Sequence, residues 1–238
     1  MLNIFLISCA ALKPTASPSS SLQAVVVTAA DWDRIDGVLQ GYERKHEAAP
    51  WERVIEETPV VVGRNGMAWG RGVHPLPMPE GPMKQEGDGR APAGLFRLSA
   101  GFGYAAPGEV SWIKLPYRQA TPTLLCIDDT RSAYYNRIVD ASGVKADWRG
   151  YEEMLRPDDL YRLGIVIDHN MDPPLAGKGS CIFMHIWKGA SQGTAGCTAM
   201  ASNTLQRLLL WLDPAAMPIL IQLPKVEYGR LRGSWRLP

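Results

Sequence analysis

The sequence carries almost no net charge and no long apolar run. Its 238 residues include 25 Lys and Arg against 24 Asp and Glu, a formal net charge of +1. No basic block is present that would neutralise a run of phosphates, so a nucleic-acid partner is disfavoured. No window approaches the roughly 18 consecutive apolar residues that indicate a membrane-spanning helix.

Cysteine is also scarce. The four cysteines, at positions 9, 126, 181 and 197, are too few and too widely spaced for a disulfide scaffold, and none forms a Cys-x-x-Cys pair suited to zinc. We therefore expect no metal and no organic cofactor. Cys126 and Cys181 lie in apolar segments and are expected to be buried thiols, although an oxidising compartment would permit a bridge if they were close.

The first residues resemble an export signal. Positions 1–9 are apolar except for Asn3 and Ser8, and Leu6-Ile7-Ser8-Cys9 resembles a bacterial lipobox in which Cys9 would be lipidated. Residues 10–21, rich in Ala, Ser, Pro and Thr, are typical of a flexible tether. The sequence thus predicts a protein of the periplasm or cell envelope, with a possible membrane tether through Cys9.

The rest of the chain is typical of a mainly β protein with a few helices, an α+β fold. Residues 22–28 predict a strand, and Trp32, Ile35 and Val38 predict an amphipathic helix over 31–47, so that 22–50 would pack on the main domain. From residue 51 onward, short apolar segments alternate with turn residues, which predicts a sandwich or barrel. These segments are 58–62, 94–98, 110–115, 123–127, 164–167, 181–187 and 218–223.

A second helical pattern closes the main domain. Leu205, Leu208, Leu209 and Leu212 have helical spacing, and the pattern ends at Asp213-Pro214 because proline cannot continue a helix. We assign 51–224 to one catalytic domain and 225–238 to a C-terminal tail.

Residues 180–200 hold the most plausible chemistry. If 181–187 is a strand, then Cys181, Phe183, His185 and Trp187 share one face. The Gly- and Ser-rich stretch 189–193 allows the chain to turn back, which would bring Cys197 across from His185.

A thiol next to an imidazole is the minimum equipment for acyl transfer. The imidazole takes the thiol proton and stabilises the thiolate as an ion pair. Gly196 and the backbone N–H groups around it are candidates for an oxyanion site. Buried cysteines and structural histidines are common, however, so spacing alone leaves a purely structural interpretation open.

His185 together with Thr194-x-Gly196-Cys197 resembles the signature of the L,D-transpeptidases with a YkuD-type catalytic domain. Residues 59–63, 84–96 and 164–167 also resemble that family, and the similarity covers roughly residues 51–224. Segment 84–96 is similar to the family's Thr-Pro-x-Gly-x-Phe hairpin, with Ala91 in place of the usual threonine.

The resemblance implies a YkuD-like β-sandwich or barrel that transfers an acyl group between peptidoglycan stem peptides through a cysteine thioester. It implies that Cys197 is the nucleophile and His185 the base, with Gly196 and the adjacent backbone at the oxyanion. It also implies that carbapenem-type β-lactams acylate the same sulfur. Ala199 departs from the family, which usually has Arg there, so both a 3-3 and a 1-3 cross-link stay open.

Five further residues are candidate substrate contacts. Thr194 belongs to the motif itself. His169 would line the cleft or stabilise a turn, and Trp187 would form a platform or pack in the core. Lys84 and Arg90, from the loop of segment 84–96, would bind a zwitterionic stem peptide or belong to a solvated turn.

Two other functions remain open at this stage. An L,D-carboxypeptidase would hydrolyse the same thioester with water. An envelope lipoprotein would bind the cell wall without chemistry, which Ala199 and a lipidated Cys9 make conceivable.

Overall fold

A computed structural model describes residues 20–74 and 80–238. The predicted leader with Cys9, and the tether up to residue 19, lie outside these residues. About 36% of the residues are in strands and 11% in helices, so the mainly β prediction is confirmed. In this part of the chain the strands are β1 Gln23–Ala29, β2 Asp36–Glu43, β3 Glu52–Val61, β4 Met67–Trp69, β5 Ala91–Gly103, β6 Tyr117–Gln119, β7 Leu124–Ile127, β8 Ile138–Asp140, β9 Tyr151–Glu153, β10 Leu163–Ile167, β11 Phe183–Ile186, β12 Thr198–Met200 and β13 Ile219–Pro224.

Two α-helices complete the described elements, α1 Ser202–Trp211 and α2 Lys225–Leu231, together with 3-10 turns at Pro107–Val110 and Pro214–Ala216. Helix α1 packs against β10 and β11, and α2 packs against β1 and β13. Strand β1 shows why such cover is needed: Val25, Val26 and Val27 are all buried, which requires a partner on both faces of the strand.

Eight of the described strands close into a barrel. Their order is β10-β11-β12-β3-β2-β1-β13-β5, and β5 pairs again with β10 to complete the ring. The β1–β13 and β11–β12 pairs are parallel, whereas the other neighbours in the ring are antiparallel. Closure satisfies the backbone hydrogen bonds of the wall without leaving a free sheet edge.

A smaller sheet, with the order β8-β7-β9, lies against one side of the barrel. A second cluster of buried residues, separate from the barrel core, contains side chains from both sheets. Its main members are Phe102, Leu124, Cys126, Met154, Tyr161, Val166, Cys181, Phe183 and Cys197. We call this group the second cluster.

Cys126 and Cys181 form a disulfide within the second cluster. The expectation that both would be buried thiols is therefore wrong, although their burial is confirmed. Their separation of 55 residues hid a contact that only the packing of the small sheet on the barrel creates. The bridge ties β7 to the residues that lead into β11.

Three other expectations need correction. The segment predicted as a helix over 31–47 instead contains strand β2, which pairs with β1 from Gly37 to Glu43. Segment 110–115 is no strand, because Val110 ends a 3-10 turn and the chain continues through a further turn. The C-terminal tail contains helix α2, and Trp235 beyond it is buried in the barrel core.

Candidate active site

Strands β11 and β12 bring His185 and Cys197 to the same side of the sheet. The two strands are parallel neighbours, with His185 opposite Ala199, and Cys197 immediately precedes β12. Phe183 and Cys197 belong to the second cluster, whereas Met184 belongs to the barrel core. The predicted alternation of faces along this strand is confirmed.

Both residues line a pocket of about 320 Å³. This volume is within the range of sites that hold small ligands. One wall comes from the loop between β11 and β12, and the other from the segment between β9 and β10. The lining residues are Glu152, Arg156, Leu160, Tyr161, His185, Trp187, Lys188, Gln192, Gly193, Thr194, Ala195, Cys197 and Ala199.

The imidazole of His185 is held in one tautomer. Its Nδ1 lies 2.8 Å from the carbonyl oxygen of Ile186, and because a carbonyl only accepts, Nδ1 carries the proton. Nε2 then has a free lone pair, and no described residue donates a hydrogen bond to it. Burial lowers the pKa of His185 to about 4, so the ring is neutral near pH 7. The Tyr161 ring contacts it edge-on, with the centroids 5.2 Å apart.

The thiol of Cys197 is neutral at rest. The backbone N–H of Phe183 donates to Sγ at 3.3 Å, and the thiol itself faces the Cys181 carbonyl at 3.6 Å. Burial, followed by the negative charge of Glu152, raises the pKa of Cys197 to about 12, and the Phe183 N–H opposes this shift.

The resting pair therefore differs from the thiolate–imidazolium ion pair that the sequence suggested. A neutral thiol and a neutral imidazole share one pocket, and no hydrogen bond joins them among the described residues. Proton transfer to Nε2 would have to accompany attack on a substrate.

Thr194 and Gly196 shape the turn that carries the thiol. The Thr194 hydroxyl donates to the Cys197 carbonyl at 2.6 Å and accepts from the Gly196 N–H at 3.1 Å. Gly196 has a φ of +157°, and a Cβ there would lie 3.2 Å from the Arg90 carbonyl oxygen. Since the Gly196 amide is engaged, the amides left for an oxyanion are those of Ala195 and Cys197, which have no acceptor among the described residues.

Of the candidate substrate contacts, Trp187 and Thr194 line the pocket, whereas Lys84 and Arg90 do not. Lys84 is buried and donates to Asp88 at 2.5 Å, and its charge lowers the pKa of Cys197 from behind the site. Arg90 donates to the carbonyls of Trp32 and Met67 and pairs with Asp33. Both cations are therefore bound to groups of the protein itself.

His169 also lies outside the pocket. It is 1% exposed, its Nδ1 accepts from the Arg71 N–H, and its Nε2 contacts the Lys178 carbonyl. Burial lowers the pKa of His169 to about 3. With both ring nitrogens occupied, it has no atom left for a ligand, and it occupies the structural role that the sequence left as an alternative.

The sequence analysis missed the polar side chains of the opposite pocket wall, Glu152, Arg156 and Tyr161. The Tyr161 hydroxyl donates to Glu152 at 2.7 Å, and the Arg156 guanidinium lies 5.0 Å from the centre of the Tyr161 ring. They come from a wall separated in sequence from the Cys197 motif, and no local pattern indicates that they face it.

Comparisons with known proteins identify no relative: no family model, no curated protein and no solved structure matches the chain. Within residues 20–74 and 80–238, no helix has the length and apolarity to cross a membrane. In the same residues, no group of three His, Cys, Asp or Glu side chains is arranged to hold a metal ion. What the pocket does must therefore be inferred from its own residues.

Proposed function

We propose that the chain is a peptidoglycan L,D-transpeptidase that uses Cys197 as its nucleophile. One observation carries the proposal: the sulfur of Cys197 and an imidazole with an unoccupied Nε2 line the same pocket. The similarity of Thr194-x-Gly196-Cys197 to the family signature supplies the substrate class, and the fit of the whole domain to a YkuD-like barrel belongs to the same proposal.

In the first half of the reaction, Nε2 of His185 takes the thiol proton as Sγ of Cys197 attacks a stem-peptide carbonyl. The amides of Ala195 and Cys197 stabilise the oxyanion. The carbon–nitrogen bond breaks, the leaving amine takes the proton from His185, and a thioester remains. In the second half an amine of a neighbouring stem attacks the thioester, forms a 3-3 or 1-3 cross-link and releases the thiol.

The proposal includes export to the periplasm or cell envelope, where peptidoglycan is found. The Cys126–Cys181 disulfide supports it, because such bridges persist in oxidising compartments and are rare in the cytosol. Lipidation at Cys9 would add a membrane tether. Acylation of Cys197 by a carbapenem is a further part of the same proposal.

The test is to incubate the full-length protein with purified disaccharide-tetrapeptides and to resolve the products by mass spectrometry, beside Cys197→Ala. Cross-linked dimers that are absent from the variant are the expected result. Shortened monomers would instead identify an L,D-carboxypeptidase. An unchanged mixture, together with measurable wall binding, would overturn the enzymatic proposal in favour of a wall-binding protein.

A further inference from the structure

Glu152 is a carboxylate inside the candidate site without a cation of its own. It lies in β9, where Tyr151 and Glu153 are exposed and Glu152 faces inward to line the pocket. Its Oε2 accepts the Tyr161 hydroxyl at 2.7 Å, and no described residue donates to Oε1. No salt bridge to it forms within residues 20–74 and 80–238.

Two cations line the pocket, Arg156 and Lys188, and Arg156, whose charge acts on Glu152, is already paired with another carboxylate. Arg156 forms two hydrogen bonds with Asp158, at 2.9 and 2.6 Å, and stacks over the Tyr161 ring. A partly buried carboxylate without a paired opposite charge is costly, and it is stabilised when a ligand brings a cation to it. Burial correspondingly raises the pKa of Glu152, and the hydrogen bond from Tyr161 opposes this.

We propose that Glu152 binds the ammonium group of the acceptor stem and takes its proton before the amine attacks the Cys197 thioester. This inference rests on the proposed function, and it names a specificity and catalytic residue for the second half of the reaction. The acceptor class it selects is a cationic primary amine.

The step balances as follows. One proton passes from the ammonium to the Glu152 carboxylate, and the neutral amine attacks the thioester carbonyl carbon. The carbon–sulfur bond breaks as the new amide forms, and the second amine proton passes through His185 to the departing sulfur. The products are an amide, a neutral thiol and a protonated Glu152, which then loses its proton to solvent.

The same charge acts in opposite directions on the two half-reactions. A carboxylate beside Cys197 disfavours the thiolate, as the direction of the Cys197 shift indicates. Replacing it by an amide should therefore leave thioester formation as fast as in the wild type or faster. It should slow transfer to a cationic amine, because both the ammonium site and the proton acceptor are lost. A disrupted pocket would slow both steps.

The experiment compares Glu152→Gln with Glu153→Gln, the exposed neighbour on the opposite face of β9. Thioester formation is followed by mass spectrometry with a carbapenem and with a stem-peptide donor. Transfer is then measured to a stem-peptide amine and to hydroxylamine, which is neutral near pH 7. We expect Glu152→Gln to acylate at no less than the wild-type rate, to lose about 100-fold in transfer to the stem amine, and to retain transfer to hydroxylamine. Glu153→Gln should match the wild type throughout.

Equal transfer to the stem amine by Glu152→Gln and the wild type would overturn the inference while leaving the proposed function intact. Parallel losses in both half-reactions would also overturn it, because they indicate a structural role. If Glu152→Gln does not fold, Glu152→Asp keeps the charge and should retain more stem-amine transfer than Glu152→Ala. A wild-type protein that forms no thioester with either donor would instead remove the proposed function.

Discussion

The two histidines that sequence analysis placed at the site occupy regions of opposite character. His169 and His185 are both buried, and burial lowers the pKa of each. The ring of His169 is held through both nitrogens by Arg71 and Lys178. The ring of His185 is held through Nδ1 alone, and His185 lines a pocket that also contains the Cys197 thiol. The unoccupied nitrogen, rather than burial or pKa, distinguishes a candidate base from a structural residue.

Asn136 connects the two regions. Its Nδ2 donates to the carbonyls of His169 and Asn170 at 2.9 and 2.7 Å, and its Oδ1 accepts the Cys181 N–H at 3.0 Å. The Cys181 carbonyl in turn faces the thiol of Cys197. The His169 region therefore supports the backbone that borders the Cys197 thiol without lining the pocket itself.

The largest expected effect comes from removing the disulfide next to the region that connects the two histidines. We expect Cys126→Ser with Cys181→Ser to lower the free energy of unfolding by roughly 4 kcal/mol, from the loop-closure entropy of a 55-residue separation. Urea unfolding of the oxidised wild type and the double variant measures it. A loss below about 1 kcal/mol would mean that packing in the second cluster holds the small sheet without the bridge.

The next effect tests the base. His185→Ala should slow formation of the Cys197 thioester by at least ~100-fold, since a positioned proton acceptor is lost. Mass spectrometry of the carbapenem adduct over time gives the rate, and circular dichroism verifies the fold. A near-wild-type rate would remove His185 from the proposed mechanism and erase the distinction between the two histidines.

The matched substitution of the other histidine, His169→Ala, should lower stability and leave the rate of acylation nearly unchanged. His169→Ala leaves the Arg71 N–H and the Lys178 carbonyl without their partner, which should cost about 2 kcal/mol. Acylation per folded molecule should stay within about threefold of the wild type, an effect well below the loss of a catalytic base. If acylation fell as far as in His185→Ala while stability held, His169 would belong to the site after all.

The effect that is smallest per pH unit, although it accumulates below pH 6.5, is the pH dependence of stability. The pKa of His169 is lowered to about 3 and that of His185 to about 4, against 6.5 for a free histidine. Below pH 6.5 the unfolded chain binds protons that the folded chain does not, so stability falls as the pH is lowered toward 4. Each histidine contributes at most about 1.4 kcal/mol per pH unit. Thermal unfolding from pH 7 to pH 4 should show a shallower slope for His169→Gln, and an unchanged slope would contradict the assignment.

Local patterns predicted the central part of the site well. The alternation of Phe183, Met184 and His185 along β11 predicted the correct faces, because successive side chains of a strand point to opposite sides of the sheet. Leu205, Leu208 and Leu209 of α1 are buried on one side as their spacing predicted.

Pairing between distant segments explains why the helix predicted over 31–47 was wrong. The spacing of Trp32, Ile35 and Val38 fits a helix, but β2 is fixed as a strand by its pairing with β1 and β3. Gly41 within it packs so closely on Ile55 that a Cβ would lie 2.8 Å from that side chain. Such an approach is a property of two strands together, and it is invisible in either one.

The opposite wall of the pocket escaped prediction for the same reason. Glu152 and Tyr161 meet Cys197 because the small sheet folds over the barrel, and each sits in a short segment without periodicity. The sequence therefore identified the proposed nucleophile and the proposed base, whereas the surrounding charges required the tertiary structure.

The second cluster gathers three cysteine sulfurs, those of Cys126, Cys181 and Cys197. These three cysteines allow three pairings during oxidation of a newly made chain, and two of the three would consume the Cys197 thiol on which the proposed chemistry depends. Of these three pairings, the Cys126–Cys181 bridge found here is the one that leaves the Cys197 thiol reduced. Whether a molecule is able to carry out the proposed acyl transfer would then be decided during oxidation, because it depends on which two cysteines form the disulfide first.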